Sequence, residues 1–329
     1  MKFLQRVIAW CAFVAGVGGV SAALAADVPA ALEKSLKQDA VCTRCHDESE
    51  TKPILSIYQT RHGVKADERT PTCQSCHGES KNHLGGNVEG KGRPKPDVIF
   101  GAKHTSAGYM PTSPQEQSAV CLTCHQSGLR QHWSGSQHES RDVACANCHK
   151  IHVRDDAVLN KATQQEVCFT CHKEQRAQTL RVSTHPLDAG KMGCSDCHNP
   201  HGSNGPKMLI KKNINETCYT CHPDRRGPFL WEHQPVVDDC TNCHTPHGSV
   251  NSPLLKTRLP QLCQECHTGD HARTAYSGAN LPGGAISTVN GLKPLQAQSG
   301  SNQVYSRDCL NCHSNIHGSN SPAGAKFQR

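Results

Sequence analysis

The sequence predicts a fold of few short α-helices and irregular loops, almost without β-strand, wrapped around a chain of covalently bound cofactors. Three observations predict it. Of the 21 cysteines in 329 residues, 20 fall in ten CxxCH units. Aromatic residues make up only 4% of the chain and hydrophobic residues 35%, which leaves an ordinary apolar core thin for this length. The stretches between the units are rich in Gly, Pro, Ser and Asn, and no βαβ pattern runs through them.

The chain opens with a secretory signal over residues 1–25: Lys2 and Arg6 form a charged start, Val7 to Val20 is apolar, and Ala23-Leu24-Ala25 is a small-residue cleavage site. Cys11, within so short an apolar run, makes a poor lipoprotein site and is expected to leave with the signal. Residues 26–329 then form one domain of five two-motif units, with an alternative division into halves at 26–190 and 191–329. No later stretch approaches the roughly 18 apolar residues of a membrane-spanning helix.

Export to an oxidising compartment would ordinarily make 20 cysteines a disulfide framework, but the spacing overrules that. The units are Cys42/Cys45/His46, Cys73/Cys76/His77, Cys121/Cys124/His125, Cys145/Cys148/His149 and Cys168/Cys171/His172. They continue with Cys194/Cys197/His198, Cys218/Cys221/His222, Cys240/Cys243/His244, Cys263/Cys266/His267 and Cys309/Cys312/His313. On one helical turn, positions i, i+3 and i+4 share a face. Both thiols can then add to the vinyl groups of one porphyrin while the histidine reaches its iron, which is c-type haem attachment. Zinc sites do not require a histidine after every cysteine pair, and a thioredoxin-like motif needs the missing βαβ pattern. The cofactors expected are therefore ten covalently bound c-type haems, the fold class a multihaem cytochrome c. At roughly 30 residues per cofactor, far below ordinary domain size, the porphyrins must supply the core. Short helices are expected around several motifs, for example at 164–178.

Twelve histidines remain outside the motifs. Taken two motifs at a time, the chain gives five units, each with one histidine between its motifs and one soon after the second. They are His62 and His83, His138 and His152, His185 and His201, His233 and His247, His271 and His317. "SQHESRDVACANCHKIH", "STHPLDAGKMGCSDCHNPHGS" and "LWEHQPVVDDCTNCHTPHGS" keep nearly one register, and "CLNCHSNIHGS" ends alike. His104 has no counterpart and His132 competes for the slot that His138 fills better, so neither belongs to the set. The ten are expected to be distal ligands that make every haem bis-histidine. A histidine three or four residues after a proximal ligand cannot reach the other face of the same porphyrin, so His152, His201, His247 and His317 should serve neighbouring haems. Gly202, Gly248 and Gly318 follow in three of these segments and permit a sharp turn.

Insertions at 78–120 and 268–308 interrupt the 22 to 26 residue spacing of motif starts and read as loops, disordered or shaped for partners at the two ends. Trp133, Trp231 and Tyr219 lie near ligands and are expected to pack on porphyrin. The mature polypeptide carries 33 basic against 28 acidic residues. Twenty haem propionates would bring the loaded protein to about −15, so the basic sequence is no argument for nucleic-acid binding.

Ten closed haems leave no open coordination position, and no CxxCK unit of the nitrite-reductase type is present. The reading is an electron carrier, with no catalytic residue. The segments "VACANCHKIHV", "CSDCHNPHGS", "DRRGPFLWEH", "TNCHTPHGSVN", "LKTRLPQLCQECH" and "CLNCHSNIHGSN" resemble the MtrA/MtoA/DmsE family of periplasmic decahaem c-type cytochromes over essentially the whole mature chain. The resemblance implies residence in the periplasm, associated with the outer membrane inside a β-barrel porin. It implies electron exchange with periplasmic cytochromes and with an extracellular multihaem cytochrome or iron, for Fe(II) oxidation or metal reduction. A soluble periplasmic shuttle to a terminal reductase and a true metal oxidoreductase are the alternatives. The direction of flow, the terminal donor or acceptor, the haem potentials and the partner of each distal histidine are not legible.

Overall fold

The computed structural model describes residues 30–49, 53–64, 69–90, 92–105, 108–267, 285–288, 291–294 and 308–327. The signal segment at 1–25, His271 and most of the 268–308 insertion lie outside these residues.

Helices are short and tied to the motifs. The first motif of each unit ends or closes a helix: α1 (Ala30–Thr43) reaches Cys42, α4 (Pro114–Leu122) reaches Cys121, α6 (Lys161–Cys168), α8 (Ile214–Cys218) and α10 (Gln261–Gln264) follow the same rule. The second motif is a short turn: α2 (Cys73–His77), α5 (Cys145–Cys148), and 3₁₀ turns at Cys194–Asp196, Cys240–Asn242 and Cys309–Asn311. Three further helices, α3 (Lys81–Leu84), α7 (Lys173–Thr179) and α9 (Gln234–Asp238), complete the set, and among the described residues one hairpin, β1 (Ala285–Thr288) with β2 (Gly291–Pro294), is the sole sheet. The stretch 164–178 is two helices, not one. His172 leaves helical geometry with ψ of 67°, because its ring must turn off the helix axis while its N–H still bonds Cys168 O at 3.0 Å.

The polypeptide has almost no apolar core of its own. Among the described residues the buried hydrophobic side chains are Ile99, Trp133, Ala144, Phe169 and Leu255, outnumbered by buried polar ones such as Gln117, Gln164, Asn215, Ser249 and Ser319. Several of those polar groups are staples. Asp39, one turn before the first motif, accepts from Cys73 N at 2.8 Å. Gln164 accepts from Ser195 N at 3.0 Å, and Asn215 accepts from Cys240 N at 2.7 Å. Each links the helix before one motif to the start of the next, so a buried side chain is satisfied and a unit is closed by the same bond.

The amino-terminal insertion is folded against the motifs. Val98 O accepts from His77 Nδ1 at 2.9 Å, Pro94 O accepts from His83 Nδ1 at 2.8 Å, and Tyr109 donates to Arg93 O. Gln117, 1% exposed, bonds Gly101 at both N and O and also Thr112 O. A sequence reading of this stretch as a loop misses these bonds, since they are long-range and leave no periodicity.

Candidate functional site

Each CxxCH unit forms one turn. The motif histidine N–H bonds the first cysteine's carbonyl at 2.9 to 3.1 Å in nine motifs, and the tenth lies within α2. All twenty motif cysteines are free of disulfides, as thiols reserved for another bond must be.

Cys45, Cys124, Cys171, Cys221, Cys266 and Cys312 are exposed on the polypeptide, while the other fourteen are half-buried. The first five are the second cysteines of the first motif in every unit. The helix that carries each first motif ends at or next to its first cysteine, so the second cysteine falls in the turn beyond it and faces outward. Second motifs are better covered, because the chain returns over them: Ile210 N donates to Cys197 O at 2.9 Å and Lys256 N to Cys243 O at 2.8 Å. Spacing alone is blind to this alternation, since the CxxCH turn is the same in both motifs and the cover comes from elsewhere in the chain.

The imidazole rings meet in pairs of nearly constant spacing. Ring centres are 6.1 Å apart for His46 and His83, 6.2 Å for His77 and His152, 5.9 Å for His62 and His125, and 6.2 Å for His149 and His201. They are 6.1 Å for His138 and His172, His198 and His247, and His233 and His267, and 6.2 Å for His244 and His317. Rings in direct contact would sit closer. Two metal–imidazole bonds of about 2 Å, with about 1 Å from each ring centre to its nitrogen, give about 6 Å, so the spacing fits one iron between each pair.

The protonation pattern fits as well. Nδ1 of His77, His198, His244 and His313 donates to the carbonyls of Val98, Lys207, Pro253 and Lys326. With the proton on Nδ1, the Nε2 lone pair is free for a metal. Burial pushes the imidazole pKa down at His77, His198, His244 and His247, and to about 4 at His201 and His317. The rings are thereby kept neutral, as ligation requires. Around His201, the buried Nδ1, Trp133 Nε1 and Arg130 Nε lack a protein partner. Three such donors suit a carboxylate of the haem propionate kind.

The pairing crosses the units. A histidine between the motifs of one unit meets the first motif of the next: His62 with His125, His138 with His172, His233 with His267. A histidine after the second motif meets the second motif of the preceding unit: His152 with His77, His201 with His149, His247 with His198, His317 with His244. Only His83 pairs within its own unit among these. The exchange is locked by backbone: His138 Nδ1 donates to Pro200 O at 2.7 Å, His185 Nδ1 to Pro246 O at 2.8 Å, and His233 Nδ1 to Ile316 O at 3.0 Å. Each acceptor immediately precedes His201, His247 or His317.

The glycines after these histidines do more than turn. Gly202, Gly248 and Gly318 have φ of +102°, +144° and +133°, and a Cβ would overlap His132 O, Gln178 O and the Phe229 ring respectively. Close approach of two units is what requires glycine here. Two-residue bridges, Ser183 with Ser249 and Trp231 with Ser319, seal the same boundaries. His132 thus contributes a carbonyl to Gly202, while Trp133 packs 6.3 Å from the His201 ring. Trp231 Nε1 bonds Ser321 O, and Arg226 lies over the Tyr219 ring.

Successive motifs also touch through their cysteines. Within units, Cys42 meets Cys73, Cys121 meets Cys145, Cys168 meets Cys194, Cys218 meets Cys240 and Cys263 meets Cys309. The shared hydrogen bond lowers the Cys145 thiol and raises Cys121. Across units, Cys76 neighbours Cys121, Cys148 neighbours Cys171, Cys197 neighbours Cys218 and Cys243 neighbours Cys266. The described motifs are thus linked within units by their cysteines and across units by their imidazoles.

Comparison with known proteins agrees with this arrangement. A doubled CXXCH motif model matches residues 185–227 and 233–272, and a cytochrome c-type protein NrfB-like model matches 73–163. The chain is 44% identical over 294 residues to the multiheme cytochrome MtrA of Shewanella baltica, covering 88% of this chain and 80% of that protein. It is 32% identical over 159 residues to the cytochrome c-type protein NrfB of Haemophilus influenzae, covering 41% of this chain and 65% of that protein. With CxxCH turns, paired imidazoles and an MtrA relative of this extent, the chain belongs to the MtrA family of multihaem c-type cytochromes and is an electron-transfer protein.

Proposed function

We propose that this chain holds ten haems, one on each CxxCH unit, and conducts electrons along them across the outer membrane inside a β-barrel porin. The observation that carries the reading is the set of eight imidazole pairs, 5.9 to 6.2 Å apart, that tie each unit to the next. Each haem would be held by its two cysteines, its motif histidine and a second imidazole. The eight ring pairs above supply eight such sets. The repeat assigns His185 to His222, which leaves His271 for His313 at the carboxyl end. Haems closed on both faces exchange electrons through their edges, and bound iron supplies the one-electron chemistry.

The polypeptide's task is then to fix spacing, which the exchanged histidines and their backbone locks do. Among the described residues no helix is long and apolar enough to cross a membrane, so a transmembrane path for these motifs needs a protein-lined pore. Periplasmic cytochromes would serve one end. An outer multihaem cytochrome or iron would serve the other, and the same wire supports extracellular Fe(II) oxidation or metal reduction according to its partners.

The test is reconstitution. Liposomes enclosing a redox dye should show dye oxidation or reduction by an external partner only when cytochrome and porin are both present. Recovery of the holoprotein without any barrel partner, together with no transfer across such vesicles, would replace the conduit by a soluble shuttle.

A further inference from the structure

The second motif of each unit keeps its histidine in place by an Nδ1–H bond, and one unit differs from the other four. His77, His198, His244 and His313 donate to backbone carbonyls, whereas His149 donates to the Asp156 carboxylate, with Nδ1 to Oδ2 at 2.7 Å. Asp156 is held in place: its other oxygen accepts from Lys150 N at 3.3 Å, its side chain is 11% exposed, and its backbone starts the 3₁₀ turn Ala157–Leu159. The ring opposite, His201, lies 6.2 Å away and nearly parallel at 8°.

We propose that Asp156 is a positioning and tuning residue that sets the haem on Cys145, Cys148 and His149 at a lower reduction potential than its carbonyl-bonded counterparts. The inference rests on the reading of His149 as a haem ligand. A carboxylate draws the Nδ1 proton more strongly than a carbonyl does, so Nε2 donates more electron density and favours ferric over ferrous iron. The carboxylate's negative charge acts in the same direction through a partly buried path. On the far side, the Arg130 guanidinium acts on the His201 ring. Arg130, Trp133 and His201 each keep a buried donor without a protein partner, and a propionate among them would offset the guanidinium locally. Asp156 therefore acts through the ring, the more direct route. A low-potential haem inside the succession takes its electron uphill and gives it up readily to either neighbour, so it stays oxidised when the rest of the wire is partly reduced.

Spectroelectrochemical titration of the holoprotein, with low-temperature EPR of partly reduced samples, compares wild type with Asp156→Asn and Asp156→Glu. The expected result is that Asp156→Asn moves one component of the titration to higher potential and leaves the others in place. All haems remain attached and low-spin, and the EPR species that persists longest during reduction of wild type is the one that moves. Asp156→Glu, which keeps the charge, should stay close to wild type. The proposal is overturned by an unchanged titration in Asp156→Asn, by an equal upward shift in Asp156→Glu, or by haem loss or a high-spin signal in Asp156→Asn, which would make Asp156 only a support. Failure of the ligand reading itself appears separately, as a His201→Ala variant whose haems all remain low-spin.

Discussion

The boundary between the third and fourth units and the amino-terminal end of the molecule solve the same problem differently. At the boundary, His185 reaches out of the third unit to Pro246 O, and His247 reaches back to pair with His198. At the amino-terminal end His46 pairs with His83 from its own unit, held by Pro94 O of the 78–120 insertion. Interior strength comes from reciprocity, and the amino-terminal strength comes from a segment that wraps back.

The largest expected effect comes from forcing one of those boundaries apart. Gly248→Ala places a Cβ onto Gln178 O at a φ of +144° and should cost about 3 kcal/mol. Gly86→Ala, at φ of +97° with open space around it, should cost about 1 kcal/mol, the conformational strain alone. Thermal unfolding of the two holoproteins checks the contrast, and equal losses would remove the argument for close approach.

Removing a ligand on either side of the comparison should open one haem without detaching it. His201→Ala and His83→Ala are each expected to give one high-spin haem with every covalent attachment kept. Carbon monoxide should bind the terminal site of His83→Ala faster than the interior site of His201→Ala, since His201 is enclosed by Trp133 and the neighbouring unit. Optical titration reads both the number and the rate, and a fully low-spin His201→Ala protein would break the pairing at its centre.

A subtler difference separates rings by orientation. His46 and His83 are near-parallel at 12°, as are most interior pairs, but His62 with His125 and His138 with His172 stand at 73° and 69°. Perpendicular imidazoles leave the two iron orbitals that overlap them nearly equal in energy. EPR should therefore show two strongly anisotropic low-spin species, one of which disappears in His62→Ala and the other in His138→Ala.

Much of this site is legible in the sequence because c-haem attachment is local. The i, i+3, i+4 spacing of a CxxCH turn lies within one run of five residues, and the ten extra histidines declare themselves by repeating in register. The same locality marks Gly202, Gly248 and Gly318 as turns. Which ring meets which is not legible, because the partners lie in different units. His138 to Pro200, His185 to Pro246 and His233 to Ile316 span 62, 61 and 83 residues, and no periodicity reports a contact of that range. Nor does the motif tell an outward cysteine such as Cys45 from a covered one such as Cys76, since only the returning chain separates them. Asp39, Gln164 and Asn215, lone polar residues before a motif, carry no local signal of the bonds they make. Asp156 resembles any loop acid until the fold brings its carboxylate to His149. The sequence by itself determined the attachment motifs and marked the candidate ligand histidines, through covalent and short-range geometry. Only the tertiary structure decided the exchange between units, the reason for the glycines and the one histidine bonded to a carboxylate, because each depends on chains that meet after folding.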